Sequence, residues 1–375
     1  MLTKVFDQHR KDGEKTTSDS TSPDPDIVLL CNPRAGGRWK ELADILDSDE
    51  AHGVRRIVTD SIEDVGPALA DLGKKTRLLC IYGGDGTIQR IIDKLYQFPP
   101  DTPMKLAFIG GGTMNVAASW CGYTKSPGKN FRALISAHES GDILFREVPL
   151  LEVRQGKHVY HGFTFGIGPI VRIMDRYEQG RKSKLRALGL AAKSVAAAWT
   201  KWPADFKPFL QEMDGEITVD GKRLPYDRYA AVFCNVTGMI NPGVVPFVKT
   251  RKRETFFYGA YAVDRREFTM MMPMLTQGRL PMDPKSLLKP VSTWKQILMS
   301  LAGKGNFPVD PRYVNDIASE FEIHSPEEHY TVDGEILRST GEPIKVTLGP
   351  MIELAVSPTV GLGTTMRLAA DIAQR

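Results

Sequence analysis

Residues 81 to 95, "IYGGDGTIQRIIDKL", join an apolar run to a helix-like pattern through Gly83-Gly84-Asp85-Gly86-Thr87. With so little side chain in the turn, several backbone N–H groups can approach an anion. The start of the following helix adds favourable partial charge. Alone, the turn is as readily an ordinary tight turn with Asp or Thr capping the helix. Two further loops have the same character: "NPRAGG" (Asn32 to Gly37) follows the first apolar run and "GGGTMN" (Gly110 to Asn115) follows the fourth. Open α/β sheets bind ligands at the carboxyl ends of their strands, so small-residue loops recurring at that edge point to a nucleotide site. No GxxxxGK[ST] occurs, and a P-loop lysine is not expected. Asp85 is the one acid inside the second loop. A carboxylate beside a polyphosphate is repulsive unless a cation or a proton lies between them, so Asp85 is expected to act through one of these.

The elements that would position these loops alternate. Ile27 to Cys31 and Leu78 to Tyr82 are short apolar runs of buried-strand type, and Val54 to Thr59 and Met104 to Ile109 read as strands. Between them, Leu42, Ile45 and Leu46 mark one helix, and Ile62, Val65, Leu69 and Leu72 a second. Ile88, Ile91, Ile92 and Leu95 fall on one face of a third. Strand–helix alternation at this pitch predicts a parallel sheet covered by helices.

After about Arg146 the texture changes. Runs rich in Val, Ile, Tyr and Phe succeed one another: "VYHGFTFGIG", "EITVDGKRL", "YAAVFCNV", "TFFYGAYAV", "FEIHSPEEHYTVDGEIL", "PIKVTLG" and "MIELAV". Asp-Gly pairs between extended runs are hairpin turns, so this half is expected to be mainly antiparallel. Lys184 to Lys201 is a helix-like insert, and Arg265 to Asn315 is an insert rich in Met and Pro.

Of 375 residues, 42% are hydrophobic and 25% charged, ordinary values for a globular chain of roughly two or three domains. The formal net charge of +4 is too mild to argue for nucleic acid. Cys31, Cys80, Cys121 and Cys234 show no CxxC spacing, and the expectation is buried, reduced thiols in a cytoplasmic protein. No run approaches the roughly 18 consecutive apolar residues of a membrane span. Residues 1 to 26 are polar, lack the apolar centre of a signal peptide and are expected to be a disordered tail. The seven histidines form no HExxH or Cys/His pattern; His158 and His161 would point to opposite faces of a strand. No GxSxG elbow occurs.

In order, Asn32-Pro33-x-Ala35-Gly36, Gly83-Gly84-Asp85-Gly86-Thr87, Gly112-Thr113-x-Asn115-x-x-Ala118 and the "TVDGEIL" run (Thr331 to Leu337) resemble the diacylglycerol kinase catalytic family. That family includes sphingosine kinases and bacterial soluble lipid kinases. The resemblance runs from Ile27 to Val356. It implies an α/β plus β fold: a phosphofructokinase-like, Rossmann-like nucleotide domain at 27–146 and an antiparallel β-sandwich with helical inserts at 147–356, with the substrate cleft between them. A tail at 357–375 would pack back on the first domain. It also implies ATP with Mg²⁺. Asn32, Pro33, Arg34, Ala35, Gly36, Thr59, Gly83, Gly84, Asp85, Gly86, Thr87, Gly112, Thr113 and Asn115 are assigned to the nucleotide, and Asp85 to its metal. Glu335 matches the family's base, which takes the proton of the lipid hydroxyl, and Asp85 and Glu335 are the catalytic pair. A second Asp-Gly-Glu, in "MDGEI" (Met213 to Ile217), lies far from the closing strands and reads as a surface turn.

Three places depart from the family pattern. Val116 stands where many lipid kinases have Asp. "VKTRKRETFF" (Val248 to Phe257) lacks the acid associated with a second, structural Mg²⁺. Pro169 and Ile170 stand where relatives often carry an acid near the lipid head group. The expected function is ATP-dependent phosphorylation of a diacylglycerol-like or sphingoid lipid. The alternatives are a soluble-substrate kinase of the NAD kinase type and a nucleotide- and lipid-binding protein without turnover. A transient membrane surface is expected from Arg181, Lys182, Lys184 and Arg186 and from Met270, Met271, Met272 and Met274. No nucleic-acid partner is expected, and a homodimer is left open.

Overall fold

The computed structural model describes residues 26–33, 38–72, 76–97, 104–112, 115–178, 184–200, 209–240, 246–269 and 310–357. Four strands open the chain: β1 (Ile27–Cys31), β2 (Val54–Val58), β3 (Leu78–Gly83) and β4 (Lys105–Gly110). All are parallel, in the spatial order β4-β3-β1-β2. β1 and β3 are buried at every position, which their uninterrupted apolar runs require in a covered parallel sheet. The helices α1 (Trp39–Leu46), α2 (Val65–Ala70), α3 (Asp85–Gln97), α4 (Val116–Trp120) and α5 (Pro127–Glu139) pack against them. In α3 the buried Ile88, Ile91 and Ile92 form the stripe read from the sequence. The helix α5 was not anticipated. It starts with Ser126 accepting from the Lys129 N–H and Pro127 in the first turn, and it buries Phe131, Leu134 and Ile135.

The second half adds β5 (Leu144–Gln155), β6 (His158–Gly162), β7 (Thr164–Ile167), α6 (Pro169–Glu178), α7 (Lys184–Trp199), β8 (Met213–Asp214), β9 (Glu216–Val219), β10 (Lys222–Arg223), β11 (Arg228–Tyr229) and β12 (Ala231–Asn235). It continues with β13 (Phe256–Tyr261), β14 (Tyr313–Ala318), β15 (Glu320–His324), β16 (His329–Val332), β17 (Glu335–Arg338) and β18 (Ile344–Val356). Six strands make an antiparallel sheet in the order β14-β13-β12-β7-β16-β17, as the hairpin signals predict.

The other main sheet crosses between the halves. β18 is 13 residues long. Its first part lies antiparallel to β15, and Leu354 near its end pairs in parallel with Leu106 of β4. β5 lines the other flank of β18, with a register shift between Leu348 and Met351. One ten-stranded sheet therefore joins the parallel strands to antiparallel ones. A single apolar core runs through both, from Leu29, Leu79 and Phe108 to Leu151, Phe321 and Leu354. All four cysteines are buried and unpaired with one another, and burial pushes the Cys31 thiol up to about 12. Among the described residues no helix is long and apolar enough to cross a membrane.

Candidate active site

The parallel register aligns the strand ends. Cys31 pairs with both Val58 and Tyr82, and Gly83 pairs with Gly110. Asn32, Thr59, Gly84 and Gly111, each the residue after a strand, therefore stand on one rim. Backbone bonds bind this rim together: Gly111 N–H donates to the Gly83 carbonyl at 2.8 Å, Thr59 N–H to the Cys31 carbonyl at 3.0 Å, and Asn32 N–H to the Tyr82 carbonyl at 3.4 Å. The second and third glycine loops touch back to back. A Cβ added to Gly112 would lie 2.7 Å from the Gly84 Cα, a separation no side-chain-bearing residue tolerates. Arg34, Ala35, Gly36 and Thr113 lie outside the described residues. Pro33 is half-buried after the end of β1. Thr59 is buried, and its hydroxyl donates to the Cys31 carbonyl at 3.4 Å. Thr87 packs beneath the turn, its Cβ 2.6 Å from where a Gly83 Cβ would stand.

Asp85, the first residue of α3, links the two glycine loops. Its Oδ1 accepts the Ala117 N–H at 3.1 Å, so the acid caps α4 across the gap between loops. Burial raises its pKa, while bonds from the Ala117, Val116 and Asn115 amides oppose the rise. The first bonds of Asp85 thus go to the amides of the third loop, and its reach toward a metal is limited to what these leave free. Val116 enters the same cap through its N–H, which needs no acidic side chain. Asn115 adopts a left-handed backbone with φ 52°. Its Oδ1 accepts the Gly112 N–H at 2.7 Å, and its Nδ2 donates to the Gly112 carbonyl at 2.8 Å. Asn115 therefore braces its own loop.

Glu335 reaches this rim from the antiparallel sheet. It opens β17 after a two-residue turn in which Asp333 and Gly334 both have positive φ, 49° and 91°. That turn joins paired Val332 and Glu335 and matches the twist of the flanking strands. One carboxylate oxygen, Oε2, lies 3.3 Å from where a Cβ of Gly86 would stand; the other, Oε1, accepts from Arg90 of α3. The Glu335 side chain is 26% exposed, whereas Glu216 in the other Asp-Gly-Glu is 52% exposed and pairs with Arg223 at 3.2 Å. The two identical tripeptides thus occupy different environments.

Asp333 is a further residue of the site that no spacing in the sequence marks out. Its two oxygens accept the Phe163 and Thr164 N–H groups, each at 2.8 Å, and fasten the hairpin to the start of β7. A Cβ on Gly162 would fall 2.6 Å from the Asp333 carboxylate, so only glycine leaves room for this clasp. Burial pushes the Asp333 pKa up to about 7; the nearby Asp85 and Asp93 charges add to the rise, and the two amide bonds oppose it. A carboxyl whose folded value exceeds its unfolded value stabilises below about pH 4, and that contribution is lost as pH rises through the folded value. Relative to wild type, the Asp333→Asn variant should therefore gain roughly 1 to 3 kcal/mol of stability as the pH rises from about 4 to 8. Thermal unfolding across that range measures it, and a difference that stays flat with pH would contradict the burial of charge. Asp93 is another such residue. Its Oδ1 accepts the His161 N–H at 2.7 Å, and the Tyr96 ring lies 4.7 Å from the His161 ring, tying α3 to β6.

The three departures have structural counterparts. The stretch from Val248 forms a basic turn in which Arg251 donates to the Thr255 carbonyl at 3.2 Å and Lys249 pairs with Asp316 at 3.5 Å. Among the described residues no group of three or more His, Cys, Asp or Glu is placed to hold a metal ion. Pro169 and Ile170 begin α6, and the Ile170 side chain packs beside Gly166 of β7. Arg181, Lys182 and Met270, Met271, Met272 and Met274 lie outside the described residues, as do the side chains of Lys184 and Arg186. Of the tails expected at 1–26 and 357–375, residues 1–25 and 358–375 lie outside them too; the Asp26 carbonyl accepts from the Arg77 N–H at 3.0 Å, and the Ser357 N–H donates to the Cys121 carbonyl at 2.9 Å.

Residues 26–143 match the family model for the diacylglycerol kinase catalytic domain. A search of curated proteins found no match. Among solved structures, a diacylglycerol kinase from Bacillus anthracis str. Sterne is similar at 15% identity and a TM-score of 0.56, over 91% of this chain and 100% of that one. A provisionally assigned diacylglycerol kinase from the same organism is similar at 17% identity and a TM-score of 0.61, over 91% of this chain and 99% of that one. At these identities the likeness is one of fold.

Proposed function

We propose, from the premise that residues 26–143 match a diacylglycerol kinase catalytic domain, that this protein transfers the γ-phosphoryl group of ATP to a hydroxyl of a diacylglycerol-like or sphingoid lipid. The observation that carries the reading is the approach of Glu335, from the antiparallel sheet, to Gly86 in the glycine turn of the parallel one. The Gly84–Gly112 contact brings two stretches without side chains together at the rim, where phosphate oxygens need backbone N–H groups. Phosphoryl transfer then asks for a positioned hydroxyl, neutralised charge and a proton acceptor. In this reading Glu335 Oε2 takes the hydroxyl proton as the lipid oxygen bonds to the γ-phosphorus. The bond to the bridging oxygen breaks, ADP departs with that electron pair, and the proton passes from Glu335 to solvent.

Mg²⁺ typically keeps several waters and uses one or two carboxylates besides the phosphates, so the lack of a three-acid cluster among the described residues is compatible with it. Asp85 is the carboxylate at the loops that would hold it, and when bound it would neutralise phosphate charge. Asp85 also holds the third loop in register with the second through Ala117.

Incubation with γ-labelled ATP and a panel of diacylglycerols, sphingoid bases and NAD tests the reading. Label in an organic-extractable product is expected. Label in NADP would move the substrate to the soluble class, and ATP binding without any transfer would leave a binding protein.

A further inference from the structure

We propose that Arg90 is a positioning residue for this reaction, whose guanidinium holds the Glu335 carboxylate against the glycine turn. The inference rests on the reading of Glu335 as the proton acceptor and adds a residue to which no role has been assigned. Arg90 projects from α3, the helix that Asp85 begins, and its Nη2 donates to Glu335 Oε1. The second oxygen, Oε2, remains beside Gly86. One oxygen is thus anchored and the other is presented to the turn where the acceptor hydroxyl must arrive.

The neighbouring acids are fixed differently. Asp85 is held by the Ala117 amide, Asp93 by the His161 amide, and Asp333 by those of Phe163 and Thr164. Among the described residues, Glu335 has Arg90 as its side-chain partner and no backbone N–H in that role. It stands at the head of a hairpin strand, where a long side chain otherwise samples several rotamers. The pair is partly exposed, 48% for Arg90 and 26% for Glu335, and such pairs contribute little to stability. A single charge-assisted bond nonetheless holds that one carboxylate oxygen in place and leaves the other free. The bond also crosses from the parallel-sheet half to the antiparallel one, so it sets the distance between Glu335 and the glycine turn. Arg90 acts here through Glu335 and not as a grip on phosphate.

The test compares lipid phosphorylation by wild type, Arg90→Ala, Arg90→Lys, Glu335→Gln and the Arg90→Ala/Glu335→Gln double variant. Arg90→Ala is expected to lower kcat on the order of 10- to 100-fold with the KM for ATP within about twofold of wild type. Arg90→Lys should recover part of the loss, as should guanidinium added to Arg90→Ala. In the Glu335→Gln background, Arg90→Ala should cost less than about twofold, because the group it positions is already gone. Thermal midpoints within about 3 °C of wild type would exclude misfolding as the cause. Losses that multiply in the double variant, or a raised KM for ATP with kcat intact, would overturn the proposal in favour of an independent or phosphate-binding role. Full turnover by Arg90→Ala beside an inactive Glu335→Gln overturns this proposal alone. Full turnover by Glu335→Gln, or none by wild type, overturns the reading of Glu335 as well.

Discussion

Glu335→Gln is expected to lower kcat by about 10²- to 10⁴-fold, the range for loss of a general base. The substitution preserves shape: the glutamine carbonyl can still accept from Arg90, and the turn at Asp333 and Gly334 is untouched. What disappears is an atom able to take a proton beside Gly86. Nucleotide affinity should stay within about twofold, since the loss then lies in the transition state and not in ground-state binding. The chain contains its own control. Glu216→Gln alters the other Asp-Gly-Glu, whose exposed glutamate pairs with Arg223 on the surface, and turnover should be unchanged. If ATP affinity fell in step with turnover in Glu335→Gln, Glu335 would be a structural residue.

The second large effect belongs to Gly112→Ala. Its Cβ would meet the Gly84 Cα at 2.7 Å and the Asn115 Oδ1 at 3.2 Å. The first neighbour is backbone, which no rotamer change can move aside. Relief requires the two glycine loops to part, disturbing the Gly111–Gly83 bond at 2.8 Å and the Gly112–Asn115 bond at 2.7 Å. Overpacking of this kind costs about 1–3 kcal/mol of stability. Because the same movement shifts amides proposed to face phosphate, ATP affinity should fall by roughly tenfold or more, about 1.4 kcal/mol. Equilibrium unfolding and nucleotide titration measure the two effects separately.

The parallel sheet was legible because its physics is local. Uninterrupted apolar runs at Ile27–Cys31 and Leu78–Tyr82 are what a strand covered on both faces needs, and the Ile88, Ile91, Ile92 stripe is a helix period. The glycine loops were legible for the same reason, since a turn stripped of side chains stands out in the text. Other features were written in the sequence and passed over. Ser126 and Pro127 announce α5, and Pro169 in a first turn announces α6, although the run before it reads as strand. The last two extended runs, "PIKVTLG" and "MIELAV", read as separate strands because Gly349 and Pro350 interrupt them. They form one strand whose register shift accommodates that pair.

The site itself was only half legible, for a different reason. Asp85 meets Ala117, Asp333 meets Phe163, and Arg90 meets Glu335 across long stretches of chain. No spacing rule connects residues that the fold alone brings together. Arg90 looks like a solvated position on an amphipathic helix until β17 is laid beside it. Asp333 looks like the first residue of an ordinary hairpin turn until Gly162 opens room for its carboxylate.

Calorimetric titration of ATP with Mg²⁺ into wild type, Glu335→Gln and Gly112→Ala, in parallel, tests most directly whether the rim of glycine loops binds the nucleotide while Glu335 serves the chemistry. The expected result is equal affinity for wild type and Glu335→Gln and a clear loss for Gly112→Ala. Equal binding by all three, or no binding by the wild-type protein, would contradict the account.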